Sequence, residues 1–421
     1  MSGGPQVEYN RRMILRAELA ATLSLAVMAF ALPASADLPP EEVGRVMRLP
    51  DAFSDHWVWV PDRLIRHAAL FDGDTGRMLG AIDSGTQISP KAPMRSRARN
   101  EIYAVDTVYS RGHRGERKDY VVIYDARTLD AKGDIEIPPR SMDTSTGIAL
   151  VGMLDGERFV IVLNQSPGAS VSIVDVEGRQ LAEEVQTQGC AGLFPAGPDR
   201  FGMLCGDGTA MTVHLTGEGK LDRLARSERF FDPVVDPVTE KGVRDGATWW
   251  FVSFEGMLHE IDFSGDAPAA KPPWALFSES ERAAGWRVGG AQHVAFHPGT
   301  KRLYSVVHQG GRGSHKDPGA EIWVYDIPRK RKLDVFEPPN LMAAFLGPQA
   351  GFDASSTTGK LLNFLLPNMG VHSIAVTRDD APLLFYRHAD LGAVGVLDAL
   401  SGAHLRDIEE TGLSGTLLVL P

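Results

Sequence analysis

The sequence predicts an all-β fold, a seven-bladed β-propeller of four-stranded antiparallel blades. Three observations predict it. A hairpin pattern recurs seven times in 421 residues, at a mean spacing of roughly 50 residues, the period of propeller blades rather than of solenoid repeats. Each hairpin follows a further apolar strand pair, which makes four strands per unit. The chain is also rich in corner residues, with 44 Gly and 27 Pro, as many short strands joined by turns require.

The pattern is clearest in Tyr120–Ile137, YVVIYDARTLDAKGDIEI. An apolar run ends at Asp125, a polar corner follows at Arg127-Thr128, and an alternating run returns; this is a hairpin signal. Copies begin at Leu70 (LFDGDTGRMLGAI), Ser172 (SIVDVEGRQLAEEV), Leu258 (LHEIDFSGDAPAA), Ile322 (IWVYDIPRKRKLDVF) and Val394 (VGVLDALSGAHLRDI). A weaker copy, MTVHLTGEGKLDRL at Met211, lacks the corner Asp. Segments such as GERFVIVLNQSP at Gly156 and GTKRLYSVVHQGG at Gly299 supply the preceding strands. A four-stranded sheet has two apolar faces. Radial packing covers both, and ring closure removes the exposed ends. The degenerate copy and the long last two spacings leave six or eight units as alternatives.

In chain order, residues 1–36 read as a signal peptide. Arg11, Arg12 and Arg16 precede an apolar run from Leu19 to Leu32, and Ala34-Ser35-Ala36 forms a small-residue cleavage pattern. The run is short for a membrane span, so cleavage near Ala36 is favoured over a retained anchor. The Arg11-Arg12 pair leaves twin-arginine and general export both open. Residues 37–65 read as an extended arm. Trp57 and Trp59 share one face of a strand there, and are either core or an aromatic platform at a subunit interface. The propeller is expected over 66–421. Within it, Ser278–Trp286 predicts a capped short helix and Gly310–Gly319 a polar loop. Pro338–Gly370 is an insertion, apolar at Leu341–Leu346 and Leu361–Leu366, expected to pack on one face of the ring. Long structured loops are where function concentrates.

A formal charge of -11 argues against a nucleic-acid partner. Cys190 and Cys205 are the only cysteines. An isolated pair in an exported chain predicts a disulfide, with two buried thiols as the alternative; closing the loop contributes about 3 kcal/mol. His293 and His297 share a strand face but have no third ligand nearby, so no metal is assigned. G-x-S-x-G, H-E-x-x-H, P-loop and dinucleotide patterns are absent, and no catalytic residue is assigned to this chain. One polar stretch stands out on an acidic protein: Tyr109–Asp119, which carries Arg111, Arg114, Arg117 and Lys118. It is either a solvated loop or a contact to an acidic partner through arginine forks.

Several long stretches resemble one family. DTVYSRGHRGERKDYVVIYDARTL from Asp106, NQSPGASVSIVDVEG from Asn164, CAGLFPAGPDRFGMLCGDGT from Cys190, ERAAGWRVGGAQHVAFH from Glu281 and PLLFYRHADLGAVGVLDALSG from Pro382 are similar to the heavy chain of the quinoprotein amine dehydrogenases, the methylamine and aromatic-amine dehydrogenases. The resemblance spans nearly the whole chain after the signal. It implies a periplasmic seven-bladed propeller paired with a small disulfide-rich light chain as an α2β2 heterotetramer. The light chain would carry tryptophan tryptophylquinone, so this chain would bind no cofactor itself. A primary amine would be oxidised to aldehyde and ammonia, and electrons would pass to a blue copper protein of the amicyanin or azurin type. The family's channel-lining Phe aligns with Asp62, near Trp57, Trp59 and Phe53. These four residues, with Arg111, Arg114 and Arg117, are the candidates for substrate-channel or light-chain contact. The sequence departs from the family at Ala291, at Cys190-Ala191-Gly192 and at Val235-Asp236-Pro237. Those departures keep a non-catalytic paralogue, which binds or scaffolds a periplasmic partner, as the alternative.

Overall fold

Seven antiparallel sheets follow one another along the chain. The computed structural model describes residues 48–83, 91–145, 147–412, 414–415 and 417–421; the expected signal peptide lies outside them. Blade 1 uses Trp57–Asp62, His67–Asp72 and Met78–Asp83. Blades 2, 3 and 4 begin with the inner strands Met94–Ser96, Val151–Met153 and Cys190–Pro195. Blades 5 and 7 begin at Val243–Asp245 and Ser373–Val376. The inner edge of blade 6 is split into Trp286–Val288 and Val294–His297, which pair with the same strand, Arg302–Gln309. All seven hairpins read from the repeat form the two outer strands of successive blades. Trp57–Asp62, read as part of an entry arm, is instead a strand of blade 1, so the ring begins there rather than at residue 66.

The ring closes through its C-terminus. Trp59 N donates to Val419 O at 2.8 Å and Val419 N donates back to Trp59 O at 3.0 Å. Residues around Val419 thereby complete the inner edge of blade 1, which no earlier segment among the described residues supplies. At the other end of that strand, His56 Nδ1 lies 2.9 Å from Asp74 and its Nε2 lies 3.0 Å from Asp379 of blade 7. An unpaired strand edge invites mispairing; this arrangement covers it.

Burial explains the sequence pattern. Phe159–Asn164, Ser170–Asp175 and Ala210–Leu215 are buried along their whole length, because neighbouring blades cover both faces. Such strands carry continuous apolar runs rather than alternation. The outer strand Leu221–Arg226 has solvent beside it and is mostly exposed. The recurring Asp is a corner device. Asp125 Oδ1 accepts from the backbone N–H of Arg127 and Thr128, Asp175 Oδ1 from Glu177 and Gly178, and Asp398 Oδ1 from Leu400 and Ser401. Each bond satisfies a turn donor that no strand reaches. In the copy without Asp, Thr216 Oγ1 accepts from Glu218 and Lys220 instead, so the degenerate repeat keeps the corner.

Cys190 and Cys205 face each other across blade 4 and form a disulfide. The short helix expected after Ser278 spans Glu279–Ala283 (α1) and has a complete Ser278/Glu281 capping box. The insertion folds as two further helices, Met342–Ala350 (α2) and Thr357–Leu365 (α3). Ala343, Ala344 and Gly347 of α2 are buried, as its apolar run predicts. Helix α3 behaves otherwise: Leu361, Phe364 and Leu365 are exposed, Phe364 by 82%.

Candidate functional site

The inner strands all run the same way, which gives the ring two unlike faces. On one face lie the tight Asp corners. On the other lie the long connections: the basic loop, the segment 227–242, the loop 310–319, and the insertion with α2 and α3. The basic loop divides into two parts. Arg117 turns inward. Its Nε is 2.8 Å from Asp119 and its Nη1 2.9 Å from Asp143, and Nη2 donates to Ser141 O at 2.7 Å. Asp119 is wholly buried and also accepts from Ser141 N–H at 2.7 Å. Lys91 is buried in the same region; desolvation pushes it down to about 8, against the pull of Asp119 and Asp143. Buried charges hold only when mutually compensated, so Arg117 locks the base of the loop. Arg111 and Arg114 stand exposed at its tip, where Ser110 Oγ accepts from Glu116 N–H.

Blades 5 to 7 carry a group of buried and half-buried titratable residues on the same face. Lys241 Nζ donates to Gly290 O at 3.2 Å. His293 is fully buried within 3.4 Å of Thr239 Oγ1 and Gly290 O. His315 stacks on Phe254 at 3.7 Å. His372 and His388 meet edge-on at 4.4 Å, and burial, with His388 nearby, takes His372 down to about 4. Desolvation lowers the pKa of Lys241, His293, His315, His372 and His388. No group of three or more His, Cys, Asp or Glu able to hold a metal occurs among the described residues. His293 and His297 are both buried but have separate partners: His297 meets Thr300 and Asp379 O.

The other candidates sit near the blade 1 closure. Trp57 and Trp59 are in the core. Phe53 packs on Trp57 with centroids 4.8 Å apart, under the Arg95 guanidinium at 3.7 Å. Asp62 is buried; its Oδ1 accepts from Leu64 and Ile65 N–H and its Oδ2 from Ser414 N–H. The fully buried Arg387 lies near it, drawn down to about 10 by desolvation despite the Asp62 charge. Asp62 thus organises the turn after its strand and the C-terminal return. The structure brings Phe53, Trp57, Trp59 and Asp62 to blade 1, and keeps Arg111 and Arg114 on blade 2.

Three further groups escaped sequence reasoning. Lys91, Lys241 and the His372–His388 pair come from different blades, and only the ring brings them to one face. A cavity of about 420 Å³ runs into the ring centre, walled by inner-strand residues such as Val151, Phe194, Val294 and Ile374. Arg97, Arg244 and Arg378 stand at its mouth on the corner face. Their equivalent placement at the ends of inner strands is a signal that blade-by-blade alignment of the repeats could expose.

The departures from the family also lie in this framework. Ala291 N–H donates to His372 O at 2.7 Å. Val235 is exposed, and its carbonyl accepts from Arg312 Nη2 at 2.8 Å. Gly192 has φ 76, and a Cβ there would lie 2.6 Å from the Phe194 ring, so this position requires glycine.

Comparison with known proteins agrees with the ring and its details. The family model for the methylamine dehydrogenase heavy chain matches residues 60–338. The methylamine dehydrogenase heavy chain of Paracoccus versutus is 27% identical over 348 residues, covering 82% of this chain and 73% of that protein. That of Methylophilus methylotrophus is 25% identical over 353 residues, covering 83% and 78%. A solved protein of unknown function from Desulfotomaculum acetoxidans superposes with a TM-score of 0.54 at 10% identity, over 87% of this chain and 99% of that one; it shares the fold. With the family match running from the first blade through the sixth, the chain belongs to the methylamine dehydrogenase heavy chain family.

Proposed function

We propose that this chain is the large subunit of a periplasmic amine dehydrogenase that oxidises a primary amine to an aldehyde and ammonia. The observation that carries this reading is the family match over residues 60–338, which takes in six blades rather than one motif. In this reading tryptophan tryptophylquinone belongs to a light chain and supplies the electron-accepting chemistry, while protein supplies position and access. Electrons leave for a blue copper protein.

The face of the long connections is the surface this reading assigns to the light chain. Exposed Arg111 and Arg114 offer forked donors for carboxylates, and the exposed Val234, Val235, Leu361 and Phe364 offer apolar area of the kind interfaces use. The large subunit then acts as scaffold and as one wall of the substrate path. Affinity purification of the tagged chain from its native host tests this. A small cysteine-rich chain in equal amount is the expected companion. Recovery of the propeller alone, or with an unrelated protein, would support the non-catalytic paralogue instead.

A further inference from the structure

We propose that the central channel is a binding pocket for a small apolar monocarboxylate. Its carboxylate meets Arg378 at the mouth and its hydrocarbon body fills the throat. The proposal does not depend on the amine dehydrogenase reading, because the channel opens on the corner face, away from the long connections.

The throat has the size and character of a small-molecule site. At about 420 Å³ it lies within the usual range for ligand pockets, which are mostly apolar with a few placed polar groups. Val151, Leu193, Phe194, Val294, Phe296 and Ile374 line it. The polar side chain at its wall, Gln292, is already committed. Its Nε2 donates to Ile374 O and Leu418 O, and its Oε1 accepts from Leu418 N–H. A ligand body in the throat therefore finds apolar surface and no free hydrogen-bonding side chain from Gln292.

The mouth carries three arginines together with Asp55. Of its three arginines, Arg244 is held by Asp155 at 2.8 Å and Arg97 lies 3.6 Å from Asp55. The other nearby carboxylates are occupied as well: Asp245 pairs with Lys301, and Asp379 with His56. Arg378 makes no hydrogen bond or ion pair among the described residues. Desolvation and then the Arg244 guanidinium lower its pKa from the ordinary arginine value, with Asp245 and Asp155 acting the other way. Arg378 is an exposed guanidinium at the rim of an apolar hole, without a side-chain partner among the described residues. Its planar fork matches a carboxylate bidentately. A cationic ligand would be repelled by the same arginines, and a neutral amide would forgo the charge-assisted bonds.

Isothermal titration of the purified full chain with octanoate and with 4-phenylbutyrate tests the proposal. Saturable one-site binding is expected. Octanamide and octylamine should bind at least about tenfold more weakly, the discrimination expected when a charge-assisted hydrogen-bond pair is lost. Arg378→Gln should weaken octanoate binding by a similar factor without lowering the melting temperature, because Arg378 has no partner to lose. Ala375→Leu, which narrows the throat while leaving Arg378 in place, should also weaken binding. Equal affinity for octanoate and octanamide, undiminished binding by Arg378→Gln, undiminished binding by Ala375→Leu, or no saturable binding of either carboxylate would each overturn it.

Discussion

Asp175 shows how much of this ring rests on single carboxylates. It is buried between two blade elements, takes Arg158 Nη2 at 2.7 Å, and accepts two backbone N–H bonds at the hairpin corner. Its pKa falls below the ordinary carboxylate value: burial works against the charge, and Arg158 with the Gly178 and Glu177 N–H groups outweighs it. Asp175→Ala should cost about 2 kcal/mol, since it removes bonds to a charged group. Thr216 serves the same corner in blade 4 with two long bonds of 3.3 Å, so Thr216→Ala should cost only about 0.5 kcal/mol. Urea unfolding of both variants compares them; equal losses would contradict the corner account.

Histidine titration also belongs at this scale. Burial is the main cause that lowers the pKa of His259, His293, His308, His315, His372 and His388. The unfolded chain, near 6.5 for histidine, then binds protons before the folded chain does. Stability is therefore present above pH 6.5 and is lost as pH falls through that value toward about 4, where His372 titrates. His56 runs the other way. Desolvation lowers its pKa, but Asp74 and Asp379 outweigh that and hold it raised. Its contribution is present below 6.5 and fades as pH rises, and as a partly exposed pair it is worth about 0.5–1 kcal/mol. Six groups against one predict a urea midpoint that drops between pH 6.5 and 4. A midpoint that rises over that window would contradict the assignment of these histidines as buried and neutral.

At the scale of elements, the hairpins were legible because two signals coincide in six of the seven: a largely apolar strand and an Asp at the corner. The copy at Met211 looked weak only because Thr216 replaces the acid; its strands, Ala210–Leu215 and Leu221–Arg226, pair from Met211 to Leu215 with one register shift. The entry strand Trp57–Asp62 was misread as an arm because its inner partner lies at Val419, at the far end of the chain. Pairing over that separation leaves no local pattern. Helices α2 and α3 were hidden for another reason. The apolar residues of α2 do not keep to one stripe, and those of α3 do, at Leu361, Phe364 and Leu365, but that stripe faces outward, so neither helix reads as an ordinary core-facing one. The titratable groups Lys91, Lys241 and His372 were equally illegible, since they come from different blades. The disulfide belongs to this scale too. Cys190 and Cys205 are direct cross-strand partners, and replacing both with serine should lower stability by about 3 kcal/mol. Unchanged denaturant midpoints for the double variant under oxidising conditions would count against it.

The whole molecule is a ring whose integrity depends on a few closing contacts. Leu417, Leu418 and Val419 are buried, Val419 pairs with Trp59, and Leu418 is held by Gln292 in both directions. Removing residues 417–421 should open blade 1 and expose a strand edge, turning a single cooperative transition into a broad one with aggregation. A truncated chain that melts sharply at the original temperature would refute closure by the C-terminus. The ring also sorts function by face, with corners and the channel mouth on one side and the long connections on the other. The central claim, that this propeller is the large half of an amine-oxidising enzyme, is tested most directly by the absorption spectrum of the complex purified from its native host. The account predicts a quinone band that bleaches on adding methylamine or another primary amine and returns with an electron acceptor. A complex without such a band, or with a band indifferent to every primary amine tried, would contradict it.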